Sequence, residues 1–173
     1  MGHGIPSSHG TQLGSRAIYS FAKRIERRTK LDKKRHPTKI PMISIVDDDV
    51  SLVEATVSLV ESVGYIAEGF CSAEDFLKSP QLPYIDCLIL DIRMPSMGGF
   101  ELQRRLAAGN HSIPIIFVTS YDSDDAKTQA TEVGAVALLS KPFSQESLLQ
   151  AVRSALTRKR KRRISLRSTK DNP

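Results

Sequence analysis

The chain is poor in cysteine: Cys71 and Cys87 are the two it has, and neither sits in a Cys-x-x-Cys pair. Two thiols so placed build no disulfide framework, so a reduced cytoplasm is the expected setting. No run reaches the roughly eighteen consecutive apolar residues of a transmembrane helix. The opening Met1-Gly-His-Gly-Ile-Pro has no basic end followed by an apolar core, so no secretory signal is expected. What remains is ordinary for a globular protein: 40% apolar and 25% charged residues in a chain of 173. That length suits one domain with tails.

The net charge of +6 is unevenly distributed. Residues 1–41 carry ten Lys and Arg against two acids, and residues 158–173 carry eight against one. Between them, residues 42–157 carry seven cations against sixteen acids, a net of −9. The protein is thus an acidic body with two basic ends. Such ends suit contact with a polyanion, or simply solvate the chain. Within residues 1–41, Ile18, Phe21, Ala22 and Ile25 share one helical face, but an isolated helix of that length is marginal in water. The segment is read as a disordered extension, or as sequence upstream of a true start at Met42.

From residue 42 the apolar pattern becomes regular. Strands are predicted at Ile43–Val46, Tyr65–Phe70, Cys87–Leu90, Pro114–Val118 and Ala135–Leu139. Helices are predicted at Val50–Val63, Ser72–Leu77, Gly99–Ala108, Asp124–Val133 and Ser144–Leu156. Residues 158–173 are expected to be a disordered basic tail. Five apolar strands alternating with five helices predict an α/β fold, a doubly wound parallel sheet covered on both faces. Ligands of such sheets collect beyond the carboxyl ends of the strands.

Those ends hold the polar residues. Asp47, Asp48 and Asp49 follow the first strand, Asp91 the third, Thr119 and Ser120 the fourth, and Lys141 the fifth. Singly, each has a plain explanation: Asp49 as a helix cap, Thr119 as a turn residue, Lys141 as a solvated lysine. Together, Asp47, Asp48 and Asp91 would converge, and carboxylates that close repel one another. A hard divalent cation such as Mg2+ resolves the repulsion. Adding a hydroxyl and a lysine makes a phosphoryl-transfer site, with Asp91 as the nucleophile.

The ordered motifs Ile-Val-Asp47-Asp48-Asp49, Leu-Asp91-Ile-Arg93-Met-Pro-Ser-Met-Gly-Gly, Val-Thr119-Ser120 and Ser-Lys141-Pro142-Phe143 resemble the receiver domains of bacterial two-component response regulators, most of all FixJ-type receivers. The resemblance spans about residues 42–157. It implies a flavodoxin-like fold with strand order 2-1-3-4-5. It also implies that Asp91 accepts phosphate from the phosphohistidine of a sensor kinase or phosphotransfer protein. Asp48 would bind Mg2+ directly, Asp47 through water, and the backbone carbonyl of Arg93 would complete the protein ligands. Thr119 would bond the phosphoryl group, Lys141 would pair with it, and the Lys141–Pro142 bond would be cis. Phosphorylation would draw in Thr119 and Lys141. The face of helix 4, strand 5 and helix 5 would then be the switched surface, for a homodimer or a downstream protein.

Leu138 departs from the pattern, standing where such receivers carry Tyr or Phe, so a conventional aromatic switch is not expected. Arg93 and Tyr121 flank the pocket and are expected to shield the aspartyl phosphate from water. Too few residues follow the last predicted helix for a helix-turn-helix unit, which gives the expectation of a stand-alone receiver. The run Arg158–Arg163 could meet nucleic acid, although no aromatic residue lies there to stack on bases. Two rival readings remain. One is a small phosphohydrolase using Asp47, suggested by Asp47-x-Asp49. The other is a receiver fold that binds partners without phosphorylation.

Overall fold

The structure, a computed structural model, describes residues 39–121 and 123–168, the last seven of these as backbone only. The apolar helical face expected around Ile18–Ile25 and the chain end after Ser168 lie outside the described residues. The compact unit begins at Ile40.

Five parallel strands, β1 (Met42–Val46), β2 (Ile66–Phe70), β3 (Cys87–Asp91), β4 (Ile115–Thr119) and β5 (Ala137–Ser140), form one sheet in the order β2-β1-β3-β4-β5. The helices are α1 (Val50–Ser62), α2 (Ala73–Leu77), α3 (Gly99–Ala108), α4 (Asp124–Glu132) and α5 (Gln145–Ser168). A 3-10 turn at Leu82–Tyr84, not foreseen from the sequence, leads into β3.

Side chains alternate across the pleat, so each strand feeds two cores. Ile43, Ile45, Ile89, Ile116 and Val118 pack with Val53 and Val60 of α1 and with Leu148, Val152 and Ala155 of α5. Val46, Leu88, Leu90 and Phe117 pack on the other side, with Phe76 of α2, Leu102 and Leu106 of α3 and Ala130 of α4. This two-sided burial explains the continuous apolar runs of β1, β3 and β4.

Side-chain caps set the starts of α1, α2, α4 and α5. Asp49 accepts from the N–H groups of Ser51 and Leu52, Ser72 from Asp75, Ser123 from Ala126 and Ser144 from Ser147. Gly134, at φ +69°, closes α4 in a conformation that side chains rarely adopt. The fifth strand starts two residues later than expected: Ala135 N–H bonds back to Ala130 of α4, and the ladder runs on to Ser140, opposite Thr119.

The last helix corrects an expectation. It does not stop at Leu156, because α5 runs on to Ser168. Lys, Arg and Leu are good helix formers, and neither Gly nor Pro interrupts the chain between Ser144 and Ser168. Tertiary contacts hold the continuation. Arg158 donates to the carbonyls of Gly134 (2.9 Å) and Ala135 (3.3 Å). Lys159 pairs with Asp86 at 3.2 Å and donates to the carbonyl of Ile85. Asp86 in turn accepts from the N–H of Met42, so α5 is tied to the edge where β1 and β3 begin. Among the described residues no helix is long and apolar enough to cross a membrane.

Candidate functional site

The polar residues singled out from the sequence meet at the opposite edge, where the strands end. Asp91 and Thr119 are the last ladder residues of β3 and β4, opposite Val118 and Ser140, so the sheet fixes their backbones. Asp47 follows β1, and its N–H bonds the carbonyl of Phe70. Asp47, Asp91 and Thr119 are 2%, 4% and 1% exposed, whereas Asp48 is exposed to solvent. One carboxylate oxygen from each of Asp47, Asp48 and Asp91 lies within 4.8 Å of the others.

Lys141 enters this cluster from the end of β5. Its backbone N–H donates to the carbonyl of Thr119 at 2.7 Å, and the Lys141–Pro142 peptide is cis. Its Nζ lies 2.7 Å from Oδ2 of Asp47 and 2.7 Å from Oδ2 of Asp91. The other oxygens have local donors: Asp49 N–H to Asp47 Oδ1, and Arg93 N–H to Asp91 Oδ1, both at 3.0 Å. Arg93 is thereby placed with its backbone against the Asp91 carboxylate.

Burial raises the Asp47 carboxyl above the usual aspartate range; the hydrogen bond from Lys141 and that from Asp49 N–H offset only part of this, and Asp91 nearby adds to the rise. For Lys141, burial acts to lower the ammonium, yet the bonds to Asp47 and Asp91 outweigh it and hold the group above the ordinary lysine value. A half-buried cation bound to two buried carboxylates stays charged at neutral pH.

Thr119 turns its hydroxyl toward the loop after β4, accepting from Tyr121 N–H and donating to Tyr121 C=O, both at 3.1 Å. The Arg93 guanidinium stacks on the Tyr121 ring, so the loop after β3 touches the loop after β4. Leu138 is partly buried against the Phe117 side of the core.

Gly99 has a role that its motif did not disclose. It opens α3 against the end of β3, where an added Cβ would stand 2.3 Å from the carbonyl oxygen of Asp91. Its N–H donates to the carbonyl of Ile92 at 2.9 Å. The Gly98-Gly99 pair was the available signal, but the clash it avoids depends on how α3 lies on β3.

Three carboxylates, one exposed to solvent, with a backbone segment alongside form an all-oxygen donor set. That chemistry fits a hard divalent cation such as Mg2+.

Comparison with known proteins agrees with this fold. The family model for the response regulator receiver domain matches residues 43–153. The response regulator protein TodT of Pseudomonas putida is 42% identical over 115 residues, covering 66% of this chain and 51% of TodT. The chain thus spans about half the length of that relative. Among solved structures, response regulator StyR is similar at a TM-score of 0.69 and 38% identity, over 76% of this chain and 66% of that one. FixJ-N is similar at a TM-score of 0.62 and 29% identity, over 69% of this chain and 96% of that one. With this fold, this strand order and these matches, the chain belongs to the response regulator receiver domain family.

Proposed function

We propose that residues 42–157 form a phosphoryl-accepting switch of a two-component or phosphorelay system, with Asp91 as the acceptor. The observation that carries this reading is the placement of Lys141, 2.7 Å from both Asp47 and Asp91. An ammonium so placed can leave Asp47 for a phosphoryl oxygen once Asp91 is esterified.

An oxygen of Asp91 attacks the phosphorus of a phosphohistidine on a sensor kinase or phosphotransfer protein. The P–N bond breaks, the imidazole keeps the electron pair and takes a proton, and an acyl phosphate remains on Asp91. Asp47, Asp48, Asp91 and the Arg93 carbonyl would hold Mg2+, which when bound would neutralise charge on the carboxylates and the phosphoryl oxygens. Lys141 neutralises a second oxygen, and the Thr119 hydroxyl exchanges its Tyr121 partners for a third. That exchange frees the loop after β4, and the packing of α4, β5 and the first part of α5 changes with it. This surface is the one we assign to a downstream protein or a second copy. The protein works as a cytoplasmic signalling protein rather than as a turnover enzyme.

The test is the intact mass of the full chain after incubation with Mg2+ and a small phosphodonor, beside Asp91→Asn. One phosphoryl group gained by the wild type and lost in the variant is the expected result. A gain that survives Asp91→Asn would move the chemistry to Asp47 and to the phosphohydrolase reading. No gain with any donor would leave a phosphorylation-independent binding module.

A further inference from the structure

The continuation of α5 places a dense run of cations on one helix. Residues 145–168 contain eight Lys and Arg and a single acid, Glu146. Arg158 and Lys159 anchor the helix to the body, as described above. Arg153, Arg160 and Lys161 are exposed, and among the described residues none of them has a carboxylate within ion-pair distance. A flexible basic tail is often only solvated. A basic helix held by its own anchors keeps its backbone in place, without the ordering cost that a flexible tail carries on binding.

We propose that the end of α5, centred on residues 160–163, binds the phosphate backbone of duplex nucleic acid without reading its sequence. Successive helical residues are turned by about 100°, so the four consecutive positions 160–163 are distributed around the helix. A flat protein face meets only one side of such a helix. A major groove about 12 Å wide admits an α-helix and presents phosphates on both walls.

A membrane surface fits less well, because it needs an apolar face. The apolar face of α5 is committed to the core through Leu148, Val152 and Ala155, and beyond Leu156 only Ile164 and Leu166 are apolar. Single strands fit less well too, because α5 carries no aromatic residue on which bases could stack.

The test is fluorescence anisotropy of a labelled mixed-sequence DNA duplex with the full chain across a salt series. Affinity should fall on the order of a hundredfold between about 50 and 200 mM salt, as four to five neutralised phosphates require. The variant Arg160→Gln/Lys161→Gln/Arg162→Gln/Arg163→Gln should lose most of the affinity and reduce the salt slope by about 3 to 4. Circular dichroism checks that this variant stays folded. The charge-keeping variant Arg160→Lys/Arg162→Lys/Arg163→Lys should bind like the wild type. No binding by the wild type, or an unchanged slope in the glutamine variant, would overturn the proposal. So would loss of binding in the lysine variant, which would mean that guanidinium groups read bases. The proposal also fails if the glutamine substitutions abolish binding to phosphatidylserine vesicles or self-association while leaving duplex binding intact.

Discussion

The guanidinium of Arg93 lies over the ring of Tyr121, 4.7 Å from its centroid, and joins the loop after β3 to the loop after β4. Tyr121 is 57% exposed, so the pair lies at the surface beside the ends of β3 and β4 rather than in the core. Hydrolysis of an aspartyl phosphate needs a water in line with the P–O bond to Asp91. The shielding expected of Arg93 and Tyr121 would obstruct that approach. Replacing both residues by serine should speed phosphate loss on the order of tenfold, equivalent to about 1.4 kcal/mol of barrier. The decay of phosphorylated protein, followed by intact mass, measures this. An unchanged rate would refute the shielding role.

Lys141 compensates two buried carboxylates at once. Lys141→Met leaves them facing each other, and we expect a loss of about 2–3 kcal/mol in folding stability without metal. The exposed Asp48 side gives water access, which keeps the cost below that of a sealed pair. Mg2+ should recover part of the loss, because a ligand that binds only the native state stabilises it by mass action. Asp48→Asn should reduce that recovery. Thermal melts with and without Mg2+ check all three statements, and a Lys141→Met protein as stable as the wild type would contradict the first.

Much of this site was legible because the chain changes character sharply where a strand ends. Asp47, Asp91, Thr119 and Lys141 each follow an apolar run, and the parallel winding brings such ends to one edge. The Arg93–Tyr121 stack was not legible as a contact, since it depends on two loops separated by a strand and a helix. The length of α5 was missed for a related reason. A run of cations reads as solvated, whereas its anchors, Asp86 and the carbonyls of Ile85, Gly134 and Ala135, belong to distant turns. Leu138 was legible as a departure from the family pattern, and it packs against the Phe117 side of the core.

Glu68 gives a pH-dependent prediction away from the site. It pairs in register with Ser44 on β1. Glu68 Oε2 and Ser44 Oγ are buried without a partner among the described residues. Burial raises the Glu68 carboxyl above the ordinary glutamate value, and the hydrogen bond with Ser79 offsets only part of the rise. A carboxyl raised on folding binds its proton more tightly in the native state. Its contribution to stability is therefore greatest at acid pH and is lost as pH climbs from the ordinary value through the raised one. Glu68→Gln should raise the urea midpoint at pH 7 and leave it nearly unchanged below the ordinary glutamate value. A midpoint gain of equal size at both pH values would show that charge burial is not the cause.

The close approach of α3 to β3 supplies the sharpest test of how the site is held. At Gly99 an added methyl group would stand 2.3 Å from the carbonyl oxygen of Asp91 and 3.1 Å from Ile92 Cα. Both neighbours are backbone, so no side chain can swing away. Either α3 lifts from the sheet or the end of β3 shifts, and overpacking of this kind costs about 1–3 kcal/mol. A shift at β3 moves the Asp91 carboxylate against Lys141 and Arg93 N–H, which hold it at 2.7 and 3.0 Å. Gly99→Ala should therefore lower the melting temperature and slow phosphoryl gain from a small donor in the protein that remains folded. Gly134→Ala is the control, because its strain arises at the far end of α4 and should lower stability without slowing phosphorylation. Equal slowing by the two variants, matched for folded fraction, would mean that general destabilisation explains the effect and that Gly99 has no positioning role.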